Sequence, residues 1–156
     1  MGIEIERKFL VTGDGWREQA ATQTRFSQGY LSRDPARTVR VRIAGDKAFL
    51  TIKGATCGAT RAEFEYDVPV ADAQALLALS DGPVVEKFRH LVPFEGMTWE
   101  VDEFLGANAG LVVAEIELVD EGQAFASPAW LGDEVTSDGR YVNANLAVRP
   151  FTSWGV

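Results

Sequence analysis

Cysteine and histidine are almost absent from this chain of 156 residues, which has one of each, Cys57 and His90. A single cysteine can form neither an internal disulfide nor a cysteine-based zinc site. Cys57 lies in the glycine-bounded segment 54–58, which indicates an exposed loop. We interpret it as an incidental thiol, because His90 is the only imidazole available to activate it as a nucleophile.

Long apolar runs and an excess of positive charge are also missing. No apolar stretch approaches the roughly 20 residues that span a bilayer, and the charged, alternating segment 1–10 excludes a secretory signal. The formal net charge of −8 disfavours a general nucleic-acid or anionic-membrane binder, because both partners carry the same sign. We therefore expect a cytoplasmic protein with no nucleic-acid or membrane partner, although a local basic cluster can still hold an anion.

The usual glycine-rich phosphate loops are absent as well. The sequence contains neither Gly-x-x-x-x-Gly-Lys-Ser/Thr nor Gly-x-Gly-x-x-Gly. It also has no linker, low-complexity tract or internal repeat, and its length predicts one domain spanning residues 1–156.

What the sequence does contain is a series of short segments in which polar and apolar residues alternate. They are rich in Val, Ile, Phe and Thr and are separated by turn residues: 3–10, 24–32, 37–44, 47–53, 61–68, 84–91, 97–104 and 111–119. Segments 14–22 and 71–80 are expected to be helical, and the tail 128–146 is expected to form two short helices. Eight strands with few helices predict a mostly antiparallel α+β fold, an eight-stranded closed β-barrel without exposed sheet edges.

Charged residues fall on one face of most of these segments. Because residues two apart in a strand share a face, seven segments carry one charged stripe and one largely apolar stripe. The charged stripes contain Glu4, Glu6, Lys8, Arg40, Arg42, Lys53, Arg61, Glu63, Glu65, Lys87, Arg89, Glu100, Asp102, Glu115 and Glu117.

Two interpretations of the charged stripes are open from the residues alone. In the first, each charged stripe faces water, which is the simpler interpretation for any one strand. In the second, the charges line a water-filled barrel interior, and the helices cover the apolar stripes outside. The segregation of charge favours the second interpretation. The third and sixth segments carry basic pairs and the seventh and eighth carry acidic pairs, whereas a solvated face usually mixes signs.

A charged interior of this kind suits a polyvalent anion together with divalent cations. Triphosphate carries about four to five negative charges near neutral pH, which several Lys and Arg side chains match. Carboxylates hold hard divalent cations through oxygen. Mg²⁺ usually takes only one or two protein carboxylates, so the eight acids exceed the demand of two ions. Some acids must therefore pair with Arg or Lys, or position a water.

The motifs resemble those of the CYTH superfamily, also called triphosphate tunnel metalloenzymes. Residues 4–8 are similar to the family's opening Glu-x-Glu-x-Lys. The remaining motifs follow in the family's order: Arg40-x-Arg42, Thr51-Ile52-Lys53, Glu63-x-Glu65, Lys87-x-Arg89, Glu100-x-Asp102 and Glu115-x-Glu117. The resemblance runs from Gly2 to about Arg149, and the tail from Pro128 to Asn143 is similar to that of short bacterial inorganic triphosphatases.

The resemblance implies an eight-stranded tunnel that hydrolyses triphosphate with one or two Mg²⁺ or Mn²⁺ ions. It implies catalytic and phosphate-binding roles for Lys8, Arg40, Arg42, Lys53, Lys87 and Arg89, with Arg61, Glu63 and Glu65 also at the substrate. It implies that the metal is held by Glu4, Glu6, Glu100, Asp102, Glu115 and Glu117. The expected partner is a small-molecule triphosphate or polyphosphate, and the expected assembly is a monomer or a homodimer.

Two other functions fit the same tunnel. An adenylyl cyclase would use the 3′-hydroxyl of ATP in place of water as the nucleophile, and it would need a purine pocket. A non-catalytic polyphosphate or nucleotide sensor would need the basic residues but not the full acidic set. The acidic set therefore favours an enzyme that attacks the terminal phosphoryl group with metal-activated water.

Overall fold

The structure is a computed structural model that describes residues 2–155, within which the chain forms nine strands, three short α-helices and three 3-10 turns. The strands are β1 Gly2–Val11, β2 Thr22–Ser32, β3 Arg37–Ala44, β4 Lys47–Gly54, β5 Thr60–Val68, β6 Val85–Phe94, β7 Met97–Phe104, β8 Val112–Glu117 and β9 Leu131–Glu134. The helices are α1 Trp16–Gln19, α2 Val70–Leu77 and α3 Asn143–Val148, and the 3-10 turns are Gly106–Asn108, Gly139–Tyr141 and Phe151–Ser153. No helix between residues 2 and 155 is long and apolar enough to cross a membrane.

The first eight strands close into a barrel. Their order is β5-β4-β3-β2-β6-β7-β8-β1, every pairing is antiparallel, and β1 pairs back onto β5. The closing seam is short, because it joins only residues 2–5 of β1 to residues 60–63 of β5. The closed barrel predicted from the alternating segments is confirmed.

The prediction of two short helices in segment 128–146 is wrong for its first half. Residues 131–134 form β9, which pairs with β1 between Phe9 and Val11, beyond the end of the β1–β5 seam. The reason is the short seam, which leaves backbone groups of β1 that need hydrogen-bond partners. Just after β9, the Val135 N–H donates to the Lys8 carbonyl at 2.8 Å. The helix expected at 14–22 also shrinks to four residues, because Thr22 already belongs to β2.

The apolar stripes of the barrel strands face outward, and short elements cover many of them, whereas Ile3 of β1 and Phe64 and Tyr66 of β5 remain exposed. Helix α2 places Ala73 against Val41 and Ala48 of β3 and β4. On the opposite side, Trp16 of α1 joins a cluster with Trp99 of β7 and neighbouring apolar side chains of β1 and β8. Much of the hydrophobic core therefore lies outside the barrel wall, which leaves the interior free for other residues.

One end of the barrel is filled by residues 135–148, which we call the C-terminal segment. Val85, Phe104 and Val113 lie two residues from charged positions on their own strands, so they face into the barrel. Tyr141 and Leu146 of the C-terminal segment pack against this apolar end. The charged stripes line the part of the interior that remains.

Candidate active site

The charged stripes converge on one cavity inside the barrel, with a volume of about 240 Å³. Fourteen of the fifteen residues singled out in the sequence line it: Glu4, Glu6, Lys8, Arg40, Arg42, Lys53, Arg61, Glu63, Glu65, Lys87, Arg89, Glu100, Glu115 and Glu117. The remaining one, Asp102, also points inward but is fully buried beneath Lys87 and Arg89. The interpretation in which these charges face bulk water is therefore wrong.

Lys87, Arg89 and Asp102 form what we call the paired cluster, on β6 and β7. Lys87 Nζ donates to Asp102 Oδ2 at 2.6 Å, while Arg89 Nε donates to Asp102 Oδ1 at 2.8 Å. Burial alone would raise the pKa of Asp102, but Arg89 and Lys87 hold that pKa below its usual value. Burial lowers the pKa of Lys87 to about 7, against the opposing attraction of Asp102. The charge of Asp102 is thus balanced by two cations of the protein.

A second set of ion pairs lies at the β1–β5 seam. Lys53 Nζ donates to Glu4 Oε2 at 3.0 Å, and Arg61 Nε donates to Glu4 Oε1 at the same distance. Lys53 also lies 3.4 Å from Glu63. Burial opposes ionisation of Glu4, but Lys53 and Arg61 lower its pKa below the usual value. The charge of Glu4, like that of Asp102, is therefore balanced by cations of the chain itself.

Glu6 and Glu115 behave differently, and we call them the acid pair. Their carboxyl groups are hydrogen-bonded to each other, and burial and the charge of Glu115 raise the pKa of Glu6 well above its usual value. Burial works against ionisation of Glu115 too, but Lys8 and the hydrogen bond from Glu6 hold its pKa well below the usual value. Of the two carboxyl groups, Glu6 is therefore the one that holds a proton more readily.

The acid pair suits a divalent cation, because a metal can take the place of the shared proton between two carboxylates. Within residues 2–155 no three carboxylate, imidazole or thiol groups already form a metal cage. A divalent cation such as Mg²⁺ commonly uses one or two protein carboxylates and completes its octahedron with phosphate oxygens and waters. Glu100 lies opposite Glu115 in the strand register, and Glu117 lies opposite Glu6, so both flank the pair.

The two arginines of β3 donate their side-chain hydrogen bonds to neutral groups. Arg40 donates to Thr51 Oγ1 at 3.2 Å and lies 3.5 Å from Glu65, but its buried Nε has no partner among residues 2–155. Arg42 donates through Nε to the neutral side chain of Gln28 at 2.9 Å. Burial, and repulsion from Arg40 and Arg89, lower the pKa of Arg42 to about 9, so the guanidinium remains charged at neutral pH.

Several residues that line the cavity, or lie directly behind its lining, were not assigned a role from the sequence. Gln28 and Tyr30 come from β2, whose inward face carries no charged stripe and so gave no signal. Asn143 was noted only as part of the tail motif, yet its Oδ1 accepts from Lys87 at 3.0 Å. Tyr141 offers its carbonyl to Lys8 Nζ at 2.9 Å. These contacts depend on strand register and on the packing of the C-terminal segment, neither of which alternation reveals.

An eight-stranded antiparallel barrel, lined by Lys, Arg and carboxylate side chains, defines a class of anion-binding tunnel proteins. Residues 2–149 match the family model of the CYTH domain, and the chain belongs to this family.

Relatives of known name support the same class. The chain is 50% identical over 155 residues to an inorganic triphosphatase of Acetivibrio thermocellus, covering 99% of both proteins. It is 37% identical over 150 residues to an inorganic triphosphatase of Nitrosomonas europaea, covering 93% of this chain and 97% of the relative. The fold matches the crystal structure of an inorganic triphosphatase with a TM-score of 0.66 at 36% identity, covering 93% of this chain and 94% of that one.

Proposed function

We propose that this chain hydrolyses inorganic triphosphate, or a related triphosphate, to phosphate and a diphosphate product, with Mg²⁺ or Mn²⁺. The observation that carries the proposal is that one cavity contains both cations without full compensation and the two neighbouring carboxyl groups of the acid pair. The first group needs an anion and the second needs a cation. A metal–triphosphate complex satisfies both, and the names of the relatives agree with that substrate.

Glu6 and Glu115 would hold the metal, with Glu100 and Glu117 beside them. When bound, the ion would neutralise phosphate charge and make a water molecule more acidic. Glu4 and Asp102, which the family resemblance also assigns to the metal, are better placed to hold Lys53, Arg61, Lys87 and Arg89 in position.

The basic side chains would bind and orient the triphosphate. Charge on a transferring phosphoryl group spreads over its equatorial oxygens, so the protein contributes mainly positioning and electrostatic stabilisation. Arg40 and Arg42 project from one strand and can reach these oxygens through guanidinium forks, while Lys8, Lys53, Lys87 and Arg89 add charge from the other walls. Arg40, Lys53 and Lys87 are buried, so solvent would screen their contacts with phosphate less than it screens contacts at the surface.

The cavity disfavours the adenylyl cyclase alternative. Tyr30 is the only aromatic residue that lines it within residues 2–155, and Tyr30 is 4% exposed, with its hydroxyl accepting from Gln28. A buried ring of this kind offers no face on which a purine can stack. A polyphosphate without a base therefore suits the lining better than ATP does.

A substrate panel tests the proposal. Tripolyphosphate, longer polyphosphates, ATP and thiamine triphosphate should each be incubated with Mg²⁺ or Mn²⁺, with phosphate and cyclic AMP measured as products. We expect phosphate release from tripolyphosphate that EDTA abolishes and added Mg²⁺ or Mn²⁺ restores. Undiminished release in excess EDTA would contradict the metal mechanism. Cyclic AMP from ATP would support a cyclase, and tight binding without any product would support a sensor.

A further inference from the structure

Arg42 and Lys8 are held differently from the other cations of the cavity. Lys53, Arg61, Lys87 and Arg89 each lie beside a carboxylate. Lys8 and Arg42 donate instead to neutral oxygen atoms, the Tyr141 carbonyl and the Gln28 side chain. A neutral acceptor fixes the direction of a cation without cancelling its charge, which leaves the charge available for a ligand.

Gln28 is fully buried and lies directly opposite Arg42 in the β2–β3 register. Its Oε1 accepts from Arg42 Nε at 2.9 Å, while its Nε2 donates to Asn143 Oδ1 and to Tyr30 Oη, both at 3.1 Å. These partners fix the orientation of the amide. The flipped amide would place its NH₂ group against the Arg42 Nε–H, so that two donors would face each other.

Asn143 extends this arrangement to a second cation. Its Oδ1 accepts from both Gln28 Nε2 and Lys87 Nζ, at 3.1 and 3.0 Å. Two amides, one from β2 and one from the first turn of α3, therefore connect Arg42 of β3 with Lys87 of β6. The C-terminal segment is thereby part of the cavity wall as well as its apolar end.

The two terminal Nη groups of the Arg42 guanidinium are free to contact a ligand. Its guanidinium carbon lies 4.6 Å from the centre of the Phe26 ring, which supports one face of the plane, and Gln28 holds Nε at the edge. The two terminal Nη groups donate to no residue between 2 and 155. An arginine fixed at Nε presents both Nη groups side by side, which is the arrangement that a phosphate accepts in a bidentate contact.

We infer that Gln28 and Asn143 are positioning residues, which orient Arg42 and Lys87 toward the phosphates while leaving the charge of Arg42 uncompensated. The inference rests on the proposed function only in the choice of tripolyphosphate as the ligand. Gln28 and Asn143 hold the two cations in place before the ligand binds, so that less conformational entropy is lost on binding.

A coupling experiment tests this inference through binding rather than turnover. Metal-free tripolyphosphate binding should be measured by calorimetry for wild type, Gln28→Met, Arg42→Ala and the double variant. Gln28→Met should weaken binding roughly fivefold to tenfold in the wild-type background, and less than about twofold once Arg42 is absent. Gln23→Met is the matched control, because Gln23 is exposed on the same strand and should bind like wild type.

An equal loss in both backgrounds, or no loss at all, would overturn the inference, since a purely structural glutamine would not depend on Arg42. Should Gln28→Met fail to fold in a thermal scan, Asn143→Ala provides the second cycle. It should weaken binding about threefold in wild type and hardly at all in Lys87→Met; equal losses in the two backgrounds would again overturn the inference.

Phosphate release by the wild-type protein, measured in parallel, separates the inference from the proposed function. Coupled binding without phosphate release would contradict the proposed function and support the inference. Phosphate release without coupled binding would support the proposed function and contradict the inference.

Discussion

The paired cluster and the acid pair share one barrel interior but differ in what they need from a ligand. In the paired cluster, Asp102 accepts hydrogen bonds from both Lys87 and Arg89, so its charge is balanced by the chain itself. In the acid pair, Glu115 lies 3.3 Å from Arg89, but Glu6 has no cation within ion-pair distance among residues 2–155, and burial together with the charge of Glu115 raises its pKa. Burial is similar in the two regions, and the difference lies in compensation. A compensated group maintains structure, whereas an uncompensated group identifies where a ligand of opposite charge is required.

The largest expected effect comes from breaking the paired cluster. Asp102→Asn keeps the shape but leaves Lys87 and Arg89 buried without their shared carboxylate, which should lower the free energy of unfolding by about 3–5 kcal/mol. Chemical denaturation of the variant against wild type measures the loss. Because the unpaired cations would attract anions, tripolyphosphate should restore part of it. A variant as stable as wild type would show that the cluster is not a structural element.

The acid pair should respond in the opposite sense. Glu6→Gln removes a carboxyl group that the fold already prefers uncharged, so the folded protein should lose little stability. Metal-dependent phosphate release should nevertheless fall on the order of a hundredfold, because a candidate metal carboxylate is gone.

The pH dependence of the Glu6→Gln variant gives a further test. The raised pKa of Glu6 means that its contribution to stability is present below the ordinary glutamate pKa and is lost as pH rises through the raised value. Thermal scans at pH 5 and pH 8 should therefore favour the variant more strongly at pH 8. A wild-type rate of phosphate release by Glu6→Gln would show that Glu6 does not hold the metal.

The sequence predicted the barrel and the membership of the cavity, but not this division between compensated and uncompensated groups. Alternation places Glu4, Glu6 and Asp102 on the charged face of their strands, and the segregation of charge by strand favoured the interior for that face. Which acid meets which base depends on strand register, such as Glu4 opposite Arg61, and register is set by turns and by closure of the barrel. Strand β9 was missed for a similar reason, since its four residues are ordered by the unpaired edge of β1 rather than by any pattern of their own.

A smaller effect is expected from protonation within the paired cluster. The pKa of Lys87 is lowered to about 7, so at pH 8 its amine is largely neutral in the free protein. A bound polyanion favours the charged form, and binding of tripolyphosphate at pH 8 should therefore take up a fraction of one proton, at most one, through this residue. Calorimetry in buffers of different ionisation enthalpy measures the uptake. Lys87→Met should show correspondingly less, and an equal uptake in both proteins would assign the proton to another group.

The smallest effect should come from an ion pair outside the barrel, which shows how far the comparison depends on burial. Arg7 donates to both carboxylate oxygens of Glu134, at 2.8 and 2.6 Å, and thereby joins β1 to β9. The geometry is as close as that of the paired cluster, but the two side chains are 30% and 36% exposed. Solvent screens such a pair, so Arg7→Ala should lower the free energy of unfolding by no more than about 1 kcal/mol. Phosphate release should stay at the wild-type level, because Arg7 faces away from the cavity.

Measuring denaturation and phosphate release for Arg7→Ala and Asp102→Asn side by side would separate the contribution of burial from that of hydrogen-bond geometry. A loss of stability in Arg7→Ala as large as that in Asp102→Asn would mean that hydrogen-bond geometry, rather than burial, determines what these ion pairs contribute.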